Sequence, residues 1–317
     1  MKIIVFGMPR SGTSWCGKMF DAHPDIAYLH EPEIAIASGL PVFADPGTET
    51  VARASEDLAR WLEARDARTC GTRPVLRKRG ETALHYRLRA GQIYAAKALE
   101  RLRPSRRPLG GVLPPFAGRP PHTVLKTINL LGRAELLMQA APEMRAIQLL
   151  RHPGGYIASV LRGIAKFGEA HARSALSYGA MVDSPLGREE GLTLDRLEAM
   201  APVERLAWKW LVFNDAAFRS LSGSERALVV RYEDIARDPV GRMQSIFADL
   251  GIAWDPAVES FIRRSTGGGS GSYYEVRRDP EQAAQRWRND LADADFNVIR
   301  KICERADVGR LAMREIA

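Results

Sequence analysis

Ile3-Ile4-Val5-Phe6-Gly7-Met8-Pro9-Arg10-Ser11-Gly12-Thr13-Ser14-Trp15 is the stretch on which the fold turns. Four apolar residues without polar alternation read as a strand buried on both faces. They lead into a Gly-rich turn, and a helix is expected from Trp15 to Ala22, stopping before Pro24. In a strand–turn–helix of this kind, backbone N–H groups and a helix N-terminus converge on an anion. The spacing Gly7 to Gly12 matches the nucleoside-triphosphate loop G-x-x-x-x-G-K-[ST], but Thr13 stands where that motif has its lysine. A cation comes earlier instead, at Arg10. Such a loop suits a phosphate-bearing ligand that is not a metal-bound triphosphate, which weighs against a kinase or ATPase.

Working outward, three further apolar runs end at polar residues. Thr123-Val124-Leu125 ends at Lys126, Ala146 to Leu150 ends at Arg151, and Ala227 to Val230 ends at Arg231-Tyr232-Glu233-Asp234. Runs of this length predict an α/β fold: a central parallel sheet flanked by helices, with a P-loop-like phosphate-binding turn. Ligands of such sheets bind beyond the carboxyl ends of the strands, where these polar residues lie. Helices are expected over Tyr156 to Lys166, Glu204 to Phe218 and Val240 to Leu250, with a final one from about Pro280 to the C-terminus. Residues 40–121 break the alternation, being rich in Arg, Pro and Gly, and read as a helical insertion over the acceptor side of one domain spanning 1–317.

The chain has 317 residues, 45% hydrophobic and 26% charged, as expected of a protein that buries a full core. No apolar run approaches the roughly 20 residues that span a bilayer. The short N-terminal run leads straight into the loop and is expected to be structural, not a cleavable signal, which points to a cytoplasmic location. Cys16, Cys70 and Cys303 show no metal or disulfide spacing, so no metal site is expected. The net charge of +8 is localised: Arg60 to Arg107 holds fourteen basic residues against four acidic ones, leaving about −2 for the rest of the chain. Such a patch favours anionic partners or is simply a solvated face. It also raises the alternative of a nucleic-acid-binding protein, but no aromatic-interleaved basic motif accompanies it, and no nucleic acid is expected as partner.

Pro9 to Trp15 closely resembles the 5′-phosphosulfate loop of sulfotransferases that use 3′-phosphoadenosine 5′-phosphosulfate (PAPS). Arg151-His152-Pro153 with Ser159 resembles that family's 3′-phosphate motif, and Arg231-Tyr232-Glu233-Asp234 followed by Asp238-Pro239 is commonly seen in it. Gly12 to Glu31, with His23-Pro24-Asp25 and Glu31-Pro32, and the later Gln285-Arg286-Trp287-Arg288 with Cys303, resemble the carbohydrate 6-O-sulfotransferase branch most closely. The resemblance leaves residues 40 to 120 unmatched.

It implies sulfuryl transfer from PAPS to an acceptor hydroxyl, expected to be that of a saccharide or glycosylated molecule. Arg10, Ser11, Gly12, Thr13 and Ser14 would hold the 5′-phosphosulfate, with Trp15 near the adenine. Arg151 and Ser159 would hold the 3′-phosphate, and Arg278 is the candidate for a late basic residue closing over it, with Arg277 or the Gly267 to Gly271 turn as alternatives. Lys126 would contact the transferred group. The histidine that small-molecule sulfotransferases carry two residues after the lysine is absent, since Ile128 stands there. A carboxylate is the alternative base, and Glu31 matches the position of the one in the carbohydrate branch. His30 and Glu33 are neighbours to weigh; in an extended segment Glu31 and Glu33 share a face and His30 points away. No membrane span is expected, and the oligomeric state is left open.

Overall fold

The computed structural model describes residues 1–102, 120–168, 178–266 and 280–314. Strand β1 (Lys2–Phe6) leads through the Gly7 loop into helix α1 (Thr13–Ala22), followed by β2 (Ile26–His30) and a short α2 (Pro32–Ala35). The insertion supplies α3 (Thr48–Leu62), α4 (Ala67–Cys70) and α5 (Ala83–Leu102), all outside the sheet. Then come β3 (His122–Thr127), α6 (Ala134–Ala140), β4 (Arg145–Leu150) and α7 (Pro153–Phe167). Three short helices, α8 (Tyr178–Val182), α9 (Pro185–Glu189) and α10 (Leu194–Ala199), precede the long α11 (Pro202–Leu221). Strand β5 (Ala227–Arg231) is followed by α12 (Tyr232–Arg237), α13 (Pro239–Asp249) and α14 (Pro256–Thr266).

The sheet has the order β2-β3-β1-β4-β5, and every pairing is parallel. Its strands alternate between two apolar layers. Ile4, Phe6, Leu125, Ala146 and Leu150 pack with Leu137, Trp210 and Phe213 of α6 and α11. Ile3, Val5, Val124, Ile147 and Leu149 pack with Phe20, Phe247 and Phe261 of α1, α13 and α14. Strand side chains alternate faces with a period of two, so both faces are covered only if nearly every position is apolar. Hence the unbroken apolar runs.

Register brings the strand ends to one edge. Phe6 pairs with Thr127 on one side and Gln148 on the other, His30 with Lys126, and Leu150 with Arg231. The residues leaving those strands therefore face one crevice, flanking the central strand where the order reverses.

Two expected elements differ. Helix α7 starts at Pro153, not Tyr156, because His152 Nδ1 accepts from the Gly154 amide at 3.1 Å as an N-cap and Pro153 is pre-set for the first turn. The single helix expected from Pro280 is instead α15 (Pro280–Gln285), α16 (Trp287–Asp290), α17 (Asp293–Cys303) and α18 (Asp307–Ala312). Extended backbone at Leu291, Ala292 and Ala306 breaks it. A straight rod buries one stripe, whereas these breaks let Trp287, Ile299, Ile302 and Val308 all reach apolar surroundings. Among the described residues no helix is long and apolar enough to cross a membrane.

Candidate active site

Two backbone positions define the loop. Arg10 and Gly12 adopt left-handed conformations, φ 70° and 81°. Alternating conformations of this kind turn successive amides inward and make a concave anion nest. Helix α1 begins directly behind Gly12 with no side-chain cap; its Trp15 and Cys16 amides each donate to the Gly12 carbonyl at 3.1 Å, which leaves the Thr13 and Ser14 amides without an intrahelical acceptor. The Ser11 hydroxyl is 1% exposed and has no hydrogen-bond partner among the described residues. Gly12 is required twice over: its φ disfavours a side chain, and a Cβ would stand 2.3 Å from the Tyr232 ring.

The strand-end arginine reaches this same loop. Arg151 Nη1 donates to the Arg10 carbonyl at 2.6 Å, and Nη2 to the Ala283 carbonyl at 3.1 Å, while its buried Nε has no partner among the described residues. Arg10 Nε donates to Ser159 Oγ at 3.1 Å. Arg10, Arg151 and Ser159, separated by up to 149 residues, thus form one cluster. Trp15 donates from Nε1 to Ser265 Oγ at 3.1 Å and meets Tyr232 edge-on, with centroids 6.1 Å apart. The Arg151 guanidinium lies over the same Tyr232 ring at 5.1 Å. No role for Tyr232 is evident from the sequence; its position immediately after β5 is the available signal.

On the other side of β1, Glu31 sits in a left-handed conformation, φ 51°. Among the described residues, Arg10 and Glu31 are the non-glycine positions with positive φ. Side chains in that region cost about 1–3 kcal/mol unless the surroundings enforce it, and such strain concentrates at functional sites. Glu31 Oε1 accepts from the Lys126 ammonium, its carboxylate lies 3.5 Å from His30 Nε2, and Oε2 is 3.7 Å from Arg68 Nη2. Lys126 Nζ is also 3.5 Å from Ser14 Oγ, which links this group to the phosphate loop. Burial opposes ionisation of Glu31, but the Lys126 charge and hydrogen bond hold its carboxyl below the usual range.

The expected sharing of a face by Glu31 and Glu33 does not hold. The segment is not extended: the chain turns at Glu31 into α2, so Glu33 swings onto the end of β3. There Glu33 Oε1 accepts from Thr127 Oγ1 at 2.7 Å and from the Ile128 amide at 3.1 Å, and burial raises its pKa. His30, expected to point away, lies beside Glu31 and shares a hydrogen bond with Tyr28 Oη at 3.0 Å. Burial and the Lys126 charge push its pKa down to about 4, so its ring is neutral at pH 7. Arg278, Arg277 and residues 267–271 lie outside the described residues. Among the described residues no cluster of His, Cys, Asp and Glu is arranged to hold a metal ion, and Cys16, Cys70 and Cys303 are free thiols.

A family model described as the sulfotransferase family matches residues 2–256. The chain belongs to the sulfotransferase family. Carbohydrate sulfotransferase 5 of Mus musculus is 25% identical to it over 324 residues, spanning 95% of this chain and 78% of its own. Carbohydrate sulfotransferase 6 of Homo sapiens is 24% identical over 321 residues, with the same 95% and 78% coverage. A solved sulfotransferase domain from the curacin biosynthetic pathway superimposes with a TM-score of 0.46 at 15% identity over 96% of both chains. In this sulfotransferase, the loop, Lys126, Arg151 and the strand-end carboxylate Glu31 all border the crevice described above.

Proposed function

We propose that this sulfotransferase takes its sulfuryl group from PAPS and delivers it to a saccharide hydroxyl, with Glu31 as the base. The observation that carries the donor assignment is the joining of Arg10, Arg151 and Ser159 into one cluster by direct hydrogen bonds. A donor with phosphates at both ends of its ribose needs cations at two places on one site, and a guanidinium can fork onto each. The Ser11 hydroxyl and the Arg151 Nε, both without a hydrogen-bond partner among the described residues, and the Thr13 and Ser14 amides at the start of α1 are donors in want of an acceptor. They fit a phosphate. The saccharide assignment is supported by the names of the curated relatives and by the carboxylate at Glu31 in place of a histidine two residues after Lys126.

In the reaction the acceptor oxygen attacks sulfur in line with the departing 5′-phosphate oxygen. Its proton passes to Glu31 as the new S–O bond forms, and the bond from sulfur to the leaving phosphate breaks with its electron pair going to that phosphate. Arg10, Lys126 and the first turn of α1 would stabilise the charge developing on the leaving oxygen. Lys126 therefore faces both partners: it holds Glu31 ionised before attack and lies against the Ser14 side of the loop. As Glu31 takes the proton, its grip on the ammonium weakens and frees Lys126 for the developing charge.

Transfer of label from ³⁵S-PAPS to a panel of saccharides, with Arg10→Ala as inactive control, tests the reading. Glu31→Gln is expected to lower kcat about 10²–10⁴-fold, the usual contribution of a positioned base, while stabilisation by 3′-phosphoadenosine 5′-phosphate (PAP) persists. Turnover near wild type in a folded Glu31→Gln protein would remove Glu31 from its role.

A further inference from the structure

We propose that Glu33 is a positioning residue for the base: bound to the end of β3, it holds the turn that aims the Glu31 carboxylate at Lys126. This rests on Glu31 being the base, as proposed above.

The chain leaves β2 in register with β3, His30 opposite Lys126, and the Glu31 amide donates to the Lys126 carbonyl at 2.8 Å. An extended continuation would carry Glu31 on along the strand direction. Instead the chain turns at φ 51°, and the Ile34 amide closes the turn on the Glu31 carbonyl at 3.1 Å. Glutamate has no intrinsic preference for that conformation, so contacts on either side must impose it. Before the turn, the sheet supplies them. After it, Glu33 brings the chain back to the sheet.

Glu33 Oε1 takes two donors at the end of β3, the Thr127 hydroxyl at 2.7 Å and the Ile128 amide at 3.1 Å. The hydroxyl is itself oriented: Thr127 Oγ1 accepts from the Asn129 amide at 3.3 Å, which leaves its own hydrogen for Glu33. Thr127 and Glu33 are both buried, so these bonds form away from competing water. Pro32 alone separates Glu33 from Glu31, and its ring fixes φ at about −65°. Anchoring Glu33 therefore fixes the direction in which the Glu31 side chain leaves the backbone. In that direction lies Lys126, whose ammonium bonds Glu31 Oε1. Among the described residues, the other charged or titratable groups beside Glu31 are His30 from β2 and Arg68 from α4. Glu33 is not placed to be the base itself. Its Oε1 is taken by two donors and its Oε2 is buried with no partner among the described residues, so it presents no oxygen to an incoming hydroxyl.

Carbon-13 NMR of the side-chain carboxylates reads the Glu31 titration without any acceptor, with Glu31 and Glu33 assigned by their absence from Glu31→Gln and Glu33→Gln. Labelled PAPS and the saccharide panel give kcat and acceptor KM, and calorimetric titration gives PAP affinity. Substitution has two effects of opposite sign. Losing the Glu33 charge lowers the Glu31 pKa, because like charges oppose each other's ionisation, whereas losing the aim at Lys126 raises it toward the ordinary range. Glu33→Ala should move the Glu31 titration and the acid limb of kcat to higher pH. It should also lower kcat about 10–100-fold, the scale of a misplacement of about 1 Å, with PAP affinity as in wild type. Glu33→Gln keeps a carbonyl for both donors and should retain most of kcat, with the Glu31 titration at or below its wild-type position. Thr127→Val removes one donor and no charge; it should shift both readouts in the direction of Glu33→Ala by a smaller amount, and it carries the test if Glu33→Ala does not fold. A wild-type Glu31 titration and kcat in folded Glu33→Ala or Thr127→Val, whatever the loss of stability, overturns the positioning role. So does a Glu33→Gln protein as impaired as Glu33→Ala. Full turnover by Glu31→Gln instead removes the base on which the role rests.

Discussion

At the scale of single residues, the pairing of Glu31 with Lys126 governs what the site can do. Glu31 is ionised at neutral pH because the ammonium beside it outweighs the cost of burial. A carboxylate with a depressed pKa stays available as base down into the acid range and loses that role only as pH falls through its folded value. The pair's contribution to stability follows the same sign: present above the unfolded carboxylate pKa of roughly 4.3, and lost as pH falls through the folded one. In Lys126→Met the attraction is gone and burial remains, so the acid limb of kcat against pH should move to higher pH, on top of a lower plateau. An unmoved limb would mean that another group titrates. The sequence made Glu31, His30 and Glu33 all visible as candidates, but not their arrangement. That depended on a left-handed turn at a glutamate, which no local propensity favours. The ring of Tyr232 against Gly12 was invisible for a related reason, since it joins residues more than 200 positions apart.

At the scale of elements, strands and their order of use were the legible part. Four of the five strands could be read as apolar runs ending at Gly7, Lys126, Arg151 and Arg231, because burial on both faces leaves no alternation to obscure them. The C-terminal helices were not legible, because what breaks them is docking. Trp287 stacks on His152 with centroids 4.3 Å apart and lies 4.9 Å from Phe296, and it packs against Gly154 at the start of α7. Burial and the neighbouring Arg288, Arg231 and Arg151 charges push the His152 pKa down to about 3, so that ring is neutral inside the stack. Its contribution is complete above the unfolded value near 6.5 and declines as pH falls toward 3, because the unfolded chain takes up the proton first. Arg151 is tied to the same segment through the Ala283 carbonyl. Trp287→Ala should cost about 3–5 kcal/mol in chemical denaturation, the range for emptying a large aromatic site. It should also weaken PAP binding by loosening Arg151. A variant that lost stability but bound PAP as wild type does would uncouple the C-terminal segment from the site.

At the scale of the whole molecule, the basic insertion is held to the sheet by a buried charge cluster that composition could not show. Asp21 on α1 receives both the Lys18 and Lys78 ammonium groups, and Lys78 Nζ also donates to the Asp21 backbone carbonyl. Lys18 further donates to the Pro74 carbonyl at 2.7 Å, so helix α1 and residues 72–78 share one network. Removing the single anion leaves two buried cations; Asp21→Asn should destabilise the fold by roughly 3–5 kcal/mol, read as a fall in the denaturation midpoint. A neutral outcome would show that water, not Asp21, solvates those lysines. The same cluster explains why a local excess of positive charge does not translate into an equally charged surface.

The claim on which the rest depends is that the loop after β1 and the arginine after β4 hold the two phosphates of one nucleotide. Calorimetric titration of wild type and Arg151→Ala with PAP and with adenosine 5′-phosphate measures this directly. Wild type is predicted to prefer PAP by about 100-fold or more, the scale of a forked guanidinium–phosphate contact, and Arg151→Ala to lose most of that preference while still binding the 5′-phosphate. A full preference for PAP in Arg151→Ala, or equal affinity of wild type for both nucleotides, would contradict it.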